Sequence, residues 1–121
     1  NRLYTDLRNQ GTIDFLSTSF LRGITIDNGI IIVDECQNLN FHELDTIITR
    51  VGQNTKIIFS GDIEQTDLMK TNERNGILNF QSILNNLPEF ECVEFGIPDI
   101  VRSGLLKSYL IEKIRQGKHY E

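Results

Sequence analysis

The strongest constraint in this sequence is a pair of unbroken apolar, β-branched runs, each followed by an acid. The first is Gly29-Ile30-Ile31-Ile32-Val33, followed by Asp34-Glu35. The second is Lys56-Ile57-Ile58-Phe59-Ser60, followed by Gly61-Asp62. A run of this kind has no polar face to turn to water, so each predicts a central strand of a parallel sheet, buried on both faces. Between the runs, Phe41, Leu44, Ile47, Ile48 and Val51 recur at helical spacing. Asn40 is placed as the N-cap with Glu43 three residues on, a capping-box start, and Gly52 is placed as the stop. Strand, helix and strand in this order make the βαβ unit of a parallel α/β sheet.

Weaker signals extend the pattern. Residues 12–17, where Ile13 and Phe15 alternate with polar neighbours, predict a further strand, as do residues 91–95 before Gly96. Ile77, Leu78, Phe80, Ile83, Leu84 and Leu87 form the apolar stripe of a second helix, ended by Pro88. A last helix is placed with Asp99 as its cap and Val101, Leu105, Leu106, Tyr109 and Ile114 as its stripe, ending near Gly117. The 121 residues suit one domain.

Charge and cysteine content exclude several classes. Twelve Lys+Arg against 17 Asp+Glu leave a net charge of −5. Such a balance argues against wholesale coating of nucleic acid and leaves room for a local basic groove. Cys36 and Cys92 stand far apart with no CxxC or His/Cys cluster, the pattern of reduced, partly buried thiols rather than a zinc site. No apolar run approaches the roughly 18 residues of a membrane span. Residues 1–19 are polar and contain Asp6 and Asp14, unlike a signal peptide. The expectation is a cytoplasmic protein with no membrane partner.

The acids at the strand ends carry the chemistry. Ligands of open parallel sheets bind outside the carboxyl ends of the strands, so Asp34, Glu35 and Asp62 are placed at the binding edge on a rigid support. An apolar strand followed by Asp is the Walker B arrangement, in which the carboxylate holds Mg²⁺ beside nucleotide phosphates. Glu35, one position on, can orient and deprotonate a water next to the γ-phosphate. Gln65, after Gly61-Asp62, has both a donor and an acceptor and can touch γ-phosphate or water.

At this point the chain resembles the PhoH family of P-loop ATPases, which share DE-x-Q and GD-x-x-Q motifs with superfamily 1 helicases. The first matching block is Arg22-Gly23-Ile24-Thr25, then Asn28, then Asp34-Glu35-Cys36-Gln37-Asn38. The second is Thr49-Arg50-Val51-Gly52, Lys56 and Gly61-Asp62-Ile63-Glu64-Gln65-Thr66-Asp67-Leu68. The third is Asp99-Ile100-Val101-Arg102. The resemblance implies a three-layer, RecA-like P-loop NTPase sheet, with ATP as substrate and Mg²⁺ as cofactor. It implies Asp34 as the Mg²⁺ residue, Glu35 as catalytic base and Gln65 as γ-phosphate sensor. Gln37, Gly61 and Asp62 belong to the same nucleotide site. Arg22 and Arg102 are candidates for an arginine reaching a neighbour's γ-phosphate in a homo-oligomeric ring, or for contact with RNA or another single-stranded nucleic acid. Arg50 is better explained by a helix end. Cys36 stands where Ala is usual, Ile24 replaces a common Arg or Lys, and Ser103-Gly104 replace a common His-Pro.

A P-loop ATPase also needs a GxxxxGK(S/T) phosphate cradle. The Gly-Lys pair of this chain, Gly117-Lys118, is followed by His119 and does not fit. The chain is therefore expected to be a partial PhoH-like ATPase domain over residues 1–121, running from Walker B to the closing Arg motif and lacking the P-loop strand. Alone it is expected neither to bind ATP tightly nor to hydrolyse it, and either to be marginally stable or to complete its sheet with upstream sequence. The alternatives are a fragment of a superfamily 1 DNA helicase and a non-catalytic interaction module without a P-loop.

Overall fold

A computed structural model describes residues 2–17, 23–62 and 71–117. Its centre is the βαβ unit that the two apolar runs predict. β1 (Gly29–Val33) and β2 (Thr55–Phe59) pair in parallel, with Gly29 opposite Thr55 and Val33 opposite Phe59. A further parallel bridge joins Ile26 to Val51. The crossover between the strands is helix α2 (Phe41–Ile48). Its start is the predicted capping box: Glu43 N–H donates to Asn40 Oδ1 at 2.8 Å, and Asn40 N–H donates to Glu43 Oε1 at 3.2 Å.

α2 ends at Ile48 with Thr49 as its cap, four residues before the glycine placed as its stop. Gly52 serves a different purpose. A Cβ there would strike the Asp27 carboxylate and lie 2.7 Å from Thr25 Cγ2 and 2.8 Å from Ile26 O. The glycine lets the chain after α2 pass against residues 25–27, where Ile26 N–H bonds Arg50 O and Gly52 N–H bonds Ile26 O.

Helices cover one face of the sheet. Val33, Cys36, Leu44, Ile47, Ile77 and Phe80 form the buried core, with Ile31, Ile57, Phe59 and Leu84 packed against it. Ile77, Phe80 and Leu84 come from α3 (Thr71–Asn85), whose stripe was legible in the sequence. Phe80 meets Phe59 edge-on at 5.0 Å between ring centroids, a favoured aromatic geometry.

The other face corrects the expectation of strands buried on both sides. Ile30 and Ile32 are each 67% exposed and Ile58 is 52% exposed. Their register partners place them together on one side of the ribbon. Among the described residues the sheet has two parallel strands, β1 and β2, with helices packed on it, the α/β arrangement expected of a partial P-loop NTPase-type domain.

The flanking segments depart further from expectation. Residues 12–17 and 91–95 form no strand among the described residues. Val93 and Phe95 are exposed, and so is Cys92, which had been placed as partly buried. A helix that the polar start of the chain did not signal, α1, covers Arg2–Asn9. Asp99 caps a single 3₁₀ turn, accepting from Gly96 N–H at 2.7 Å, rather than the last helix. That helix, α4 (Gly104–Arg115), starts after Ser103 and leaves Val101 and Leu105 in water. Among the described residues no helix is long and apolar enough to cross a membrane.

Candidate functional site

The carboxyl ends of β1 and β2 come together through main-chain bonds that continue the ladder past its last pair. Ser60 N–H donates to Val33 O at 2.8 Å, and Cys36 N–H donates to Ser60 O at 3.0 Å. Parallel pairing puts both strand ends at one edge. Asp34, Glu35, Gly61 and Asp62 are exposed there, as their position after two apolar strands requires.

After Val33 the chain turns sharply. Glu35 adopts a left-handed conformation, φ 51° and ψ 42°, then enters a 3₁₀ turn over Cys36–Asn38. For a residue with a Cβ this region costs roughly 1–2 kcal/mol. Asp34 offsets part of that cost, since its Oδ1 accepts the Glu35 N–H at 2.9 Å. Beneath the turn, Gln37 is fully buried. Its Nε2 donates to Glu35 Oε2 at 2.6 Å, and its Oε1 accepts the Asp62 N–H at 3.2 Å. One side-chain amide thus spans both strand ends.

Two small residues make room for that amide. A Cβ on Gly61 would collide with Gln37 Oε1 and stand 2.8 Å from Cys36 Sγ. Cys36 is itself buried in the core. Burial pushes its thiol above the ordinary cysteine range, and the charges of Glu35 and Asp34 add to that rise. The thiol therefore stays protonated and fills space rather than acting as a nucleophile.

The donor set suits a hard cation held sparingly. Mg²⁺ takes oxygen ligands and keeps several waters, using one or two carboxylates plus substrate phosphates. Asp34 offers one carboxylate at the edge. Among the described residues no three His, Cys, Asp or Glu side chains converge as a self-sufficient cage.

Of the residues singled out from sequence, the structure gathers Asp34, Glu35, Gln37, Gly61 and Asp62 at one edge. Arg22 and Gln65 lie outside the described residues. Arg102 is exposed ahead of α4 and makes no hydrogen bond or ion pair with these acids among the described residues. Arg50 follows the end of α2, where its main chain joins the Ile26 bridge. Its Nε is buried with no hydrogen-bond partner among the described residues. Sequence reasoning had no access to the left-handed Glu35 or to the two bonds of Gln37, because neither leaves a mark in residue type or spacing.

Comparison with known proteins agrees with the motifs. A family model described as PhoH-like protein matches residues 2–113. A PhoH-like protein of Synechocystis sp. is 34% identical over 102 residues, covering 84% of this chain and 31% of that protein. A PhoH-like protein of Bacillus subtilis is 30% identical over 100 residues, 83% of this chain and 31% of that one. Protein PhoH of Escherichia coli is 33% identical over 103 residues, 83% of this chain and 28% of that one. The chain therefore spans about three-tenths of the length of these curated relatives.

Proposed function

The chain belongs to the PhoH family, and we propose that it carries the metal- and water-handling part of a P-loop ATPase site whose phosphate cradle comes from sequence outside these 121 residues. The observation behind this reading is the buried Gln37 amide that joins the two strand ends while Asp34 and Glu35 remain at the open edge.

Asp34 is the residue that would hold Mg²⁺. Its Oδ1 already accepts the Glu35 N–H, which fixes the direction of the carboxylate. Bound Mg²⁺ supplies charge neutralisation on the phosphates. Glu35 is the proton acceptor for the attacking water. Its Oε2 is engaged by Gln37, so Oε1 is the oxygen left to receive a proton. As that proton leaves, the water oxygen bonds to the γ-phosphorus and the bond to the β-γ bridging oxygen breaks, giving ADP and phosphate. The Asp62 amide and Gly61 line the neighbouring strand end. The same reading includes a cytoplasmic protein, work on RNA or another single-stranded nucleic acid, and a ring of subunits. In such a ring, Arg22 or the exposed Arg102 can approach a neighbouring site.

The test is made on the full-length protein that contains this chain. Glu35→Gln is expected to bind Mg²⁺-ATP and fail to turn it over, whereas Asp34→Ala weakens Mg²⁺-dependent nucleotide affinity. Undiminished turnover by Glu35→Gln removes the base assignment. A coding sequence with no in-frame GxxxxGK(S/T) segment outside these residues favours a non-catalytic module.

A further inference from the structure

Gln37 is an anomaly in its surroundings. It is a polar side chain with no exposed surface, set beside a core of Val33, Cys36, Leu44 and Ile47. A buried amide costs free energy unless its donor and acceptor are paired, and here both are. The shorter bond, 2.6 Å, goes to a carboxylate, the charge-assisted kind that holds geometry best. Its recipient, Glu35, is exposed. A glutamate in water moves among rotamers, and a base that wanders loses its alignment with the attacking water.

The other bond reaches a different strand. Gln37 Oε1 accepts from Asp62 N–H, and Gly61 next to it leaves no space for a Cβ. The amide can therefore move little without displacing the end of β2, and the end of β2 can move little without displacing the amide. Cys36 at its side closes the remaining gap.

We infer that Gln37 is a positioning residue: through one buried amide it fixes the Glu35 carboxylate and ties that carboxylate to the Asp62 backbone at the end of β2. The inference rests on the reading of Glu35 as the base. It assigns the amide a role in turnover and none in nucleotide affinity.

Two substitutions in the full-length protein test it. Gln37→Glu keeps the volume and an acceptor for the Asp62 N–H while replacing the donor toward Glu35 with a like charge. Gln37→Met removes both bonds at similar length. Each is expected to lower kcat about 10- to 100-fold, the range for groups that orient a reacting residue, with KM and equilibrium Mg²⁺-ATP affinity retained. In Glu35→Gln background, adding Gln37→Met should change turnover by less than about twofold, because a residue acting through Glu35 has nothing left to act on. The proposal is overturned by wild-type kcat in Gln37→Glu, by losses that multiply in the double variant, or by an equal loss of ATP affinity. Failure of both variants to fold overturns it too, since it assigns Gln37 to structure alone. Retained turnover in Glu35→Gln itself points instead to failure of the base assignment.

Discussion

The two ends of the β1–β2 ribbon solve a similar problem with different residues. At the amino end, Asn28 and Asn54 are both left-handed, with φ of 55° and 52°. Asn54 Nδ2 donates to Asn28 Oδ1 at 3.1 Å, and Gln53 N–H donates to Asp27 Oδ1 at 2.7 Å. Asparagine tolerates this conformation better than most residues. At the carboxyl end the left-handed residue is a glutamate, supported by a buried amide. Holding two strands in register does not require a glutamate there, since asparagine does it at the other end. The extra strain coincides with the edge where the Asp34 and Glu35 carboxylates are exposed, and strained backbone tends to collect at functional sites.

This contrast can be broken experimentally, and the largest effect belongs to the carboxyl end. Glu35→Gln should reduce ATP turnover of the full-length protein by about 10²–10⁴-fold, the usual range for a lost general base, with little change in its thermal unfolding. Gly61→Ala should destabilise by about 1–3 kcal/mol in chemical denaturation, because the added methyl meets Gln37 and Cys36 rather than open space. At the amino end Asn28→Ala should cost about 1–2 kcal/mol by the same measurement, yet leave kcat unchanged. An equal loss of turnover there would show that the two ends are not separate in function. Glu35→Asn should abolish hydrolysis with no gain in stability, because the easier left-handed fit of asparagine is offset by the buried Gln37 donor it leaves unpaired. The smallest effect is chemical: iodoacetamide at mildly alkaline pH should spare Cys36 in the native protein and label it after denaturation, as its burial and raised pKa require.

What could be read from the sequence follows from where each structural cause resides. The two strands were legible because Ile30–Val33 and Ile57–Phe59 carry their reason in their own side chains. The start of α2 was legible because Asn40 and Glu43 satisfy each other within one turn. Residues 91–95 alternate as a strand does, but a strand needs a partner ladder, and none is present among the described residues. Asp99 looked like a helix cap because an N-cap Asp accepts from N–H groups two or three residues ahead; in the structure it ends a 3₁₀ turn and accepts instead from Gly96 N–H, three residues behind. At the site, Asp34, Glu35 and Asp62 were legible from their position after apolar runs. The link among them was not. It depends on Gln37 turning inward beneath a left-handed residue, a tertiary fact with no periodicity to announce it.

The bare side of the ribbon has a practical consequence. Ile30, Ile32 and Ile58 make a greasy strip, and Lys56 stands among them as the register partner of Ile30. A cation in such a strip repels its own counterpart whenever two copies approach with these sides facing. The lysine is thus a brake on clumping for any period in which that side is open to water, placed where sticky edges are usually guarded.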